Sequence, residues 1–202
     1  MAPLTTLGVG GPARYFLDAT DIEQVRQALE CCRENRVALW LMGEGSNTLV
    51  ADGGFDGLVL RYRESNIKPT QTQNEWRIGA GCSWDKVVAW AVNEGLGGIE
   101  CLSGIPGWVG AAPMQNIGAY GQELADALVD VGCVSIEDGA RHRFAAPIAD
   151  WPIARVISKG NGGVVISSPT SPCAWSRAAH PSFVIAIYAS FLGARRAAPR
   201  LL

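Results

Sequence analysis

Basic charge does not dominate this chain. Seventeen Lys and Arg stand against 19 Asp and Glu, for a net charge of −2. No positive field invites a nucleic acid or an anionic membrane surface. Long apolar runs are also missing, and the stretch at residues 183–194 is too short to cross a bilayer. Met1-Ala-Pro-Leu4 lacks the basic-then-apolar order of a secretory leader. Six cysteines include no C-x-x-C pair, which predicts reduced thiols rather than a disulfide framework or a metal knuckle. Histidine is scarce. His142 and His180 have no metal-ligand neighbours in the sequence, so neither takes a metal or catalytic role. These absences predict a cytoplasmic protein that meets neither nucleic acid nor membrane.

Apolar side chains and glycine are abundant. A hydrophobic content of 48% with 18% charge is enough for a buried core in 202 residues. Eight glycines fall between Gly95 and Gly121. Each costs about 0.5–1 kcal/mol relative to Ala inside a helix or strand. Such density fits backbone that turns with positive φ, or that lies against a body leaving no room for a Cβ.

Periodicity places the elements. Residues 12–17 predict a short strand, and Thr20-Asp-Ile-Glu23 reads as a capping box. Ile22, Val25, Leu29 and Cys32 then share one face of a helix reaching about Asn35. Residues 37–42 predict a buried strand, 48–51 and 58–61 two further strands, and 66–74 a polar surface loop. A strand is expected at 76–81. Ser83 then caps a helix with Trp84, Val87, Val88, Ala91 and Val92 inward and Gly95 just past its end. Tryptophans 76, 84 and 90 read as packing residues. Residues 129–137 and 141–143 form a hairpin around Asp138-Gly139. Short strands with two helices predict an α+β fold.

Gly8-Val-Gly-Gly-Pro-Ala13 fits the G-x-G-x-x-A dinucleotide pattern, but no strand precedes it and a strand follows it, so a Rossmann site is rejected. In Gly43-Glu-Gly-Ser-Asn47 two glycines allow backbone N–H groups to converge on an anion, with Ser46 and Asn47 adding donors. A plain tight turn explains the same residues equally well. In the run Ile105-Pro-Gly-Trp-Val-Gly-Ala-Ala-Pro-Met-Gln-Asn-Ile-Gly-Ala-Tyr-Gly121, Pro106 and Pro113 stiffen a path that Gly107 and Gly110 loosen. Ala111 and Ala112 are small enough for backbone to approach a ring, and Gln115 and Asn116 offer donors and acceptors. Tyr120 offers a ring to stack and a hydroxyl to bond.

Together with Thr6-Leu-Gly-Val-Gly-Gly-Pro-Ala-Arg-Tyr15, these two loops resemble those of UDP-N-acetylenolpyruvoylglucosamine reductase, also called UDP-N-acetylmuramate dehydrogenase. This is an NADPH- and FAD-dependent oxidoreductase of peptidoglycan synthesis, and so of cell-wall biogenesis, cell shape and division. The resemblance covers residues 5–146. It implies a two-subdomain FAD-binding domain of the p-cresol methylhydroxylase/vanillyl-alcohol oxidase type, acting as a monomer on a nucleotide-sugar substrate. It further implies FAD contacts from Gly43, Glu44, Gly45, Ser46, Asn47 and Thr48. The second loop would contribute Ile105, Pro106, Gly107, Gly110, Ala111, Ala112, Gln115, Asn116, Ile117, Gly118, Ala119 and Tyr120. Two other classes remain: a non-catalytic flavin- or nucleotide-binding module, and another oxidase of the same superfamily. Members of the latter often attach flavin through His or Cys in the phosphate loop, and Gly43-Glu-Gly-Ser-Asn47 has neither.

The resemblance stops at the hairpin. The family continues with Gly-x-Ala/Gly-Tyr-Arg-x-Ser-x-Phe-Lys, whereas this chain has Pro147-Ile-Ala-Asp-Trp-Pro-Ile-Ala-Arg-Val-Ile-Ser-Lys-Gly160. Read from the third base of the Pro147 codon, suitable synonymous codons for that stretch give Asp-Cys-Gly-Leu-Ala-Tyr-Arg-Glu-Ser-Asp-Phe-Lys-Gly. The Leu and the Ala follow whichever synonymous codons are used. The expectation is that one base was lost near Ala146–Pro147 and that residues 147–202 are an out-of-frame tail, with the substrate domain absent; the rival reading is a genuine, divergent C-terminus. Stretches such as 167–181 and 195–200 have neither strand nor helix period. In the family reaction an Arg and a Glu stabilise the developing enolate and a Ser protonates it. None has a counterpart here, and Arg155 and Ser158 take no such role.

Overall fold

The computed structural model describes residues 1–145, 184–192 and 194–195. Most of the predicted tail, with Cys173, His180, Arg155 and Ser158, lies outside the described residues.

The first layer is a parallel sheet of β1 (Ala13–Ala19), β2 (Ala38–Leu41) and β3 (Phe55–Tyr62), in the order β1-β3-β2. The central strand is β3, so β2, predicted from its apolar run to be buried, is an edge strand of mostly half-buried residues. Helix α1 (Ile22–Glu34) joins β1 to β2. Its cap differs from the predicted box by one residue. Asp21 accepts from the Gln24 amide at 2.9 Å, while the Gln24 side chain accepts from the Thr20 amide at 2.8 Å. The reciprocal logic of a capping box is kept, and Asp and Gln take the parts expected of Thr and Glu. Val25 and Leu29 pack with Ala19, Leu60 and Tyr62, and with Ala80 and Val134 of the second layer.

That second layer is an antiparallel sheet in the order β10-β9-β11-β5-β4. Its strands are β4 (Ile67–Pro69), β5 (Glu75–Gly79), β9 (Leu128–Ser135), β10 (Arg141–Ala145) and β11 (Val184–Leu192). Two small ribbons complete the list, β6 (Leu96–Gly97) with β12 (Ala194–Arg195), and β7 (Gly118–Ala119) with β8 (Gln122–Glu123). Three expectations need correction. Residues 48–51 form no strand, because their backbone turns back toward the N-terminal loop, where the Gly11 amide bonds the Ala51 carbonyl at 3.0 Å. The stretch 66–74 is not wholly loop, since β4 pairs with β5. Val92, expected inward, is 42% exposed.

Helix α2 (Trp84–Asn93) lays Trp84, Val87, Val88 and Ala91 into the main core with Leu102, Val109, Leu124 and Val131. Burying each such aliphatic or aromatic side chain contributes about 1.5–3 kcal/mol. Trp84 also donates its ring N–H to the Leu102 carbonyl at 2.9 Å. Trp76 and Trp90 meet edge to face, with centroids 4.9 Å apart, as packing residues do. Gly95 follows α2 at φ +72°, and Gly139 turns the β9–β10 hairpin at the same angle.

Candidate cofactor site

Strand β2 ends at Leu41, and the Met42 amide still bonds the Leu60 carbonyl at 3.0 Å. Residues 43–47 therefore leave the carboxyl end of a parallel strand, where open sheets place their ligands. The bend needs glycine at one point. Gly45 has φ +84°, and a Cβ there would lie 2.0 Å from the Leu4 carbonyl oxygen. The N-terminal segment in turn holds the loop, as the Thr6 amide donates to the Gly45 carbonyl at 3.1 Å. Among the described residues, the backbone N–H groups of Gly43–Asn47 donate to no carbonyl or side chain. Uncommitted donors at a turn of this shape are the equipment of an anion site. Ser46 is half-buried, and Glu44 and Asn47 are exposed.

The second loop is bolted to the main core. Trp84 N–H donates to the Gly107 carbonyl at 2.9 Å, Val109 N–H to Cys82 at 2.9 Å and Gly110 N–H to Ala80 at 2.9 Å. Upstream, the Asp85 carboxylate accepts from the Gly104 amide at 2.7 Å and from the Ser103 hydroxyl at 3.0 Å. Those two bonds hold the Asp85 pKa below its ordinary value, the Gly104 amide being the larger cause. Residues 112–115 form one turn of helix, α3 (Ala112–Gln115), which Asn116 ends in left-handed geometry at φ +40°.

The two loops meet. A Cβ placed at Gly107 would lie 3.5 Å from Ser46 Oγ, and one at Gly43 would lie 3.5 Å from the Ala111 Cβ. The small residues therefore face one another across one junction, with no side chain filling it from Gly43 or Gly107. Further along, Asn116 works within its own loop. Its amide donates to Glu123 at 2.9 Å and accepts from the Ala125 N–H at 3.2 Å. Tyr120 is 94% exposed. Gly118 and Ala119 form β7, and Ile117 joins the rim of the main core. Pro106 is exposed, while Thr48 and Ile105 are half-buried.

A family model described as an FAD binding domain matches residues 13–145. The chain belongs to that family. This FAD-binding domain is similar to UDP-N-acetylenolpyruvoylglucosamine reductases. With that of Mycobacterium sp. (strain MCS) it is 50% identical over 128 residues, covering 63% of this chain and 35% of the relative. With that of Thermobifida fusca (strain YX) it is 42% identical over 134 residues, covering 65% and 38%. The chain thus spans less than half the length of these curated relatives.

Among solved structures, UDP-N-acetylenolpyruvylglucosamine reductase from Thermus caldophilus superposes with a TM-score of 0.66 at 26% identity, covering 97% of this chain and 61% of that one. A VAO-type flavoprotein from Myceliophthora thermophila C1 superposes at 0.60 and 18% identity, covering 91% and 32%. p-Cresol methylhydroxylase superposes at 0.58 and 13%, covering 92% and 36%. The last two show the fold alone. The α+β, two-subdomain architecture expected from the resemblance is the observed one.

Three supports of the site have no local signal in the sequence. Leu4 walls the Gly45 turn from the N-terminal segment. Asp85 reads as an ordinary first-turn acid of α2, yet it anchors Gly104. Arg61 and Arg63 close on Trp108 from the neighbouring sheet.

Proposed function

We propose that the chain is the flavin-binding part of a reductase that turns UDP-N-acetylglucosamine enolpyruvate into UDP-N-acetylmuramate, with NADPH as reductant. What carries the reading is the junction of the two glycine loops, where a Cβ added at Gly107 would stand 3.5 Å from Ser46 Oγ and one added at Gly43 3.5 Å from the Ala111 Cβ, in a chain 50% identical to a reductase of that name over 128 residues. Bound FAD supplies the hydride chemistry, from NADPH to the enolpyruvyl double bond. The polypeptide binds and orients. Backbone N–H groups of Gly43–Asn47, with Ser46 and Asn47, suit the diphosphate. Gly107, Gly110, Ala111 and Ala112 leave room for the ring system. Glu44 and Thr48 flank the first group, and Ile105 to Tyr120 frame the second. The working form is a cytoplasmic monomer.

We further propose that residues 147–202 are out-of-frame translation and that this polypeptide is inactive. Downstream residues support the same shift. In the shifted frame each residue's first two bases become the last two of a codon whose first base is the third base of the preceding residue's codon. Cys173 and Trp175 then become Leu, Met or Val whatever codons are used. Pro169 and Pro172 become Ser, Pro, Thr or Ala, Ala174 becomes Arg or Cys, and Ser171 written TCN becomes apolar. With Ser171 written TCN, codons 171, 173 and 175 thus encode apolar residues at a spacing of two, which is compatible with a strand. The second sheet has one slot for such a strand, between β9 and β5, and here β11 fills it with register irregularities at Ala186/Tyr188 and Ser190/Phe191 against β9.

The test is FAD titration and NADPH oxidation, on this chain and on one with a base inserted at codon 147. Expected are flavin uptake by both and substrate-dependent oxidation by the repaired chain alone. Turnover by the chain as it stands overturns its inactivity. No flavin uptake by either overturns the cofactor.

A further inference from the structure

Three charged side chains and one ring join the two layers beside the loop junction. Asp18 stands near the end of β1, Arg61 near the end of β3, and Arg63 just beyond it. Arg61 Nε lies 3.5 Å from Asp18 Oδ1, and Arg63 Nη1 lies 3.1 Å from Asp18 Oδ2. Both guanidinium groups cover Trp108 of the second loop, at 4.5 Å from the ring centroid for Arg61 and 5.8 Å for Arg63. Trp108 is 8% exposed, and so is Arg61. An arginine this deep is rare without partners, and here an aromatic face and a carboxylate serve together. Burial lowers the Arg61 pKa and Arg63 adds to that, while Asp18 and Glu44 oppose both. Glu44 belongs to the first loop. The cluster therefore contacts the second loop through the Trp108 ring and lies close enough to the first for the Glu44 charge to act on Arg61.

Its position gives it leverage. Trp108 follows Gly107, where a Cβ would stand 3.5 Å from Ser46 Oγ. Arg61 continues the strand that pairs with β2, from which the first loop departs. Arg61 Nε and Asp18 Oδ1 are both buried without a hydrogen bond and face one another at 3.5 Å. Buried polar atoms are normally satisfied, and since Asp18 and Arg61 are register partners on paired strands, a small side-chain adjustment would close this bond.

We propose that Trp108, clasped by Arg61 and Arg63 on their shared Asp18, is a positioning residue that sets the separation of the two glycine loops and hence the fit of the groove to FAD. The inference rests on the flavin reading for its ligand, but its geometry is measured without one. The experiment compares Trp108→Leu, Asp18→Asn and Trp108→Phe in the full chain. It reads FAD affinity by flavin fluorescence, amide hydrogen exchange in 43–47 and 107–110, and thermal melting. Leu and Asn variants should bind FAD about tenfold more weakly, about 1.4 kcal/mol. Exchange should rise in both loops together while β3 and α2 stay protected. Phe keeps a ring for the cations and should restore most of the affinity. Should no protein here take up FAD, the flavin reading fails, and the exchange data still decide the clasp. Unchanged exchange in both loops of the Leu variant overturns the proposal, as does a rise spread evenly over β3 and α2. A Phe variant as impaired as Leu also overturns it.

Discussion

At Gly45 one hydrogen atom stands where any other residue would drive a carbon into the Leu4 carbonyl, 2.0 Å away, at φ +84°. Left-handed backbone alone costs an L-residue about 1–2 kcal/mol, and the clash adds to it. Gly45→Ala should lower the melting temperature and weaken FAD binding at least tenfold. Gly53→Ala is the matched control, since nothing lies within 4 Å of a Cβ there. Equal effects of the two variants in a flavin titration would remove Gly45 from the site. Asp85 makes a second prediction at this scale. Its pKa lies below the ordinary value of 3.8 because it accepts from Gly104 and Ser103. A carboxylate depressed on folding stabilises above its unfolded pKa, and that contribution is lost as pH falls through the lower folded value. The hold on Gly104 should therefore be complete at neutral pH and vanish in acid below pH 3.8. Amide exchange at 103–107 followed from neutral into acid should show that step in the native protein. Asp85→Asn should lack it.

Single elements show how local signals and pairing divide the work. Helix α1 was legible from its period and cap, displaced by one residue because Asp21 and Gln24 compete with Thr20 and Glu23 for the same free N–H groups. Helix α2 was legible through Ser83 and Gly95, although Ser83 makes no side-chain cap bond. β4 was not legible, since three residues in a polar stretch carry no period and exist as a strand because β5 pairs with them. β11 is the extreme case. It pairs with β9 on one side and β5 on the other, so the sheet needs a strand there. A chain ending at Ala145 would leave two ladders open, and open apolar edges associate. Size-exclusion chromatography should find that shortened chain aggregated, or monomeric with a much lower melting temperature. A monomer melting like the full chain would show that β11 contributes nothing.

For the molecule as a whole, the two loops meet where two sheets of different kind pack together, a parallel one behind the first loop and an antiparallel one behind the second. Composition, periodicity and glycine spacing determined what is decided within a few residues. These are an α+β chain with little basic charge, the two helices, the Asp138-Gly139 turn and two glycine loops shaped for an uncommon backbone. Short-range sterics and hydrogen bonds govern all of them, and each leaves a mark on neighbouring letters. Only the tertiary structure decided that Gly107 meets Ser46, that Leu4 walls Gly45, that Asn116 serves its own loop, and that Asp18 gathers two arginines onto Trp108. Those partners lie far apart along the chain, so no local rule links them, and the packing of one sheet on the other selects them.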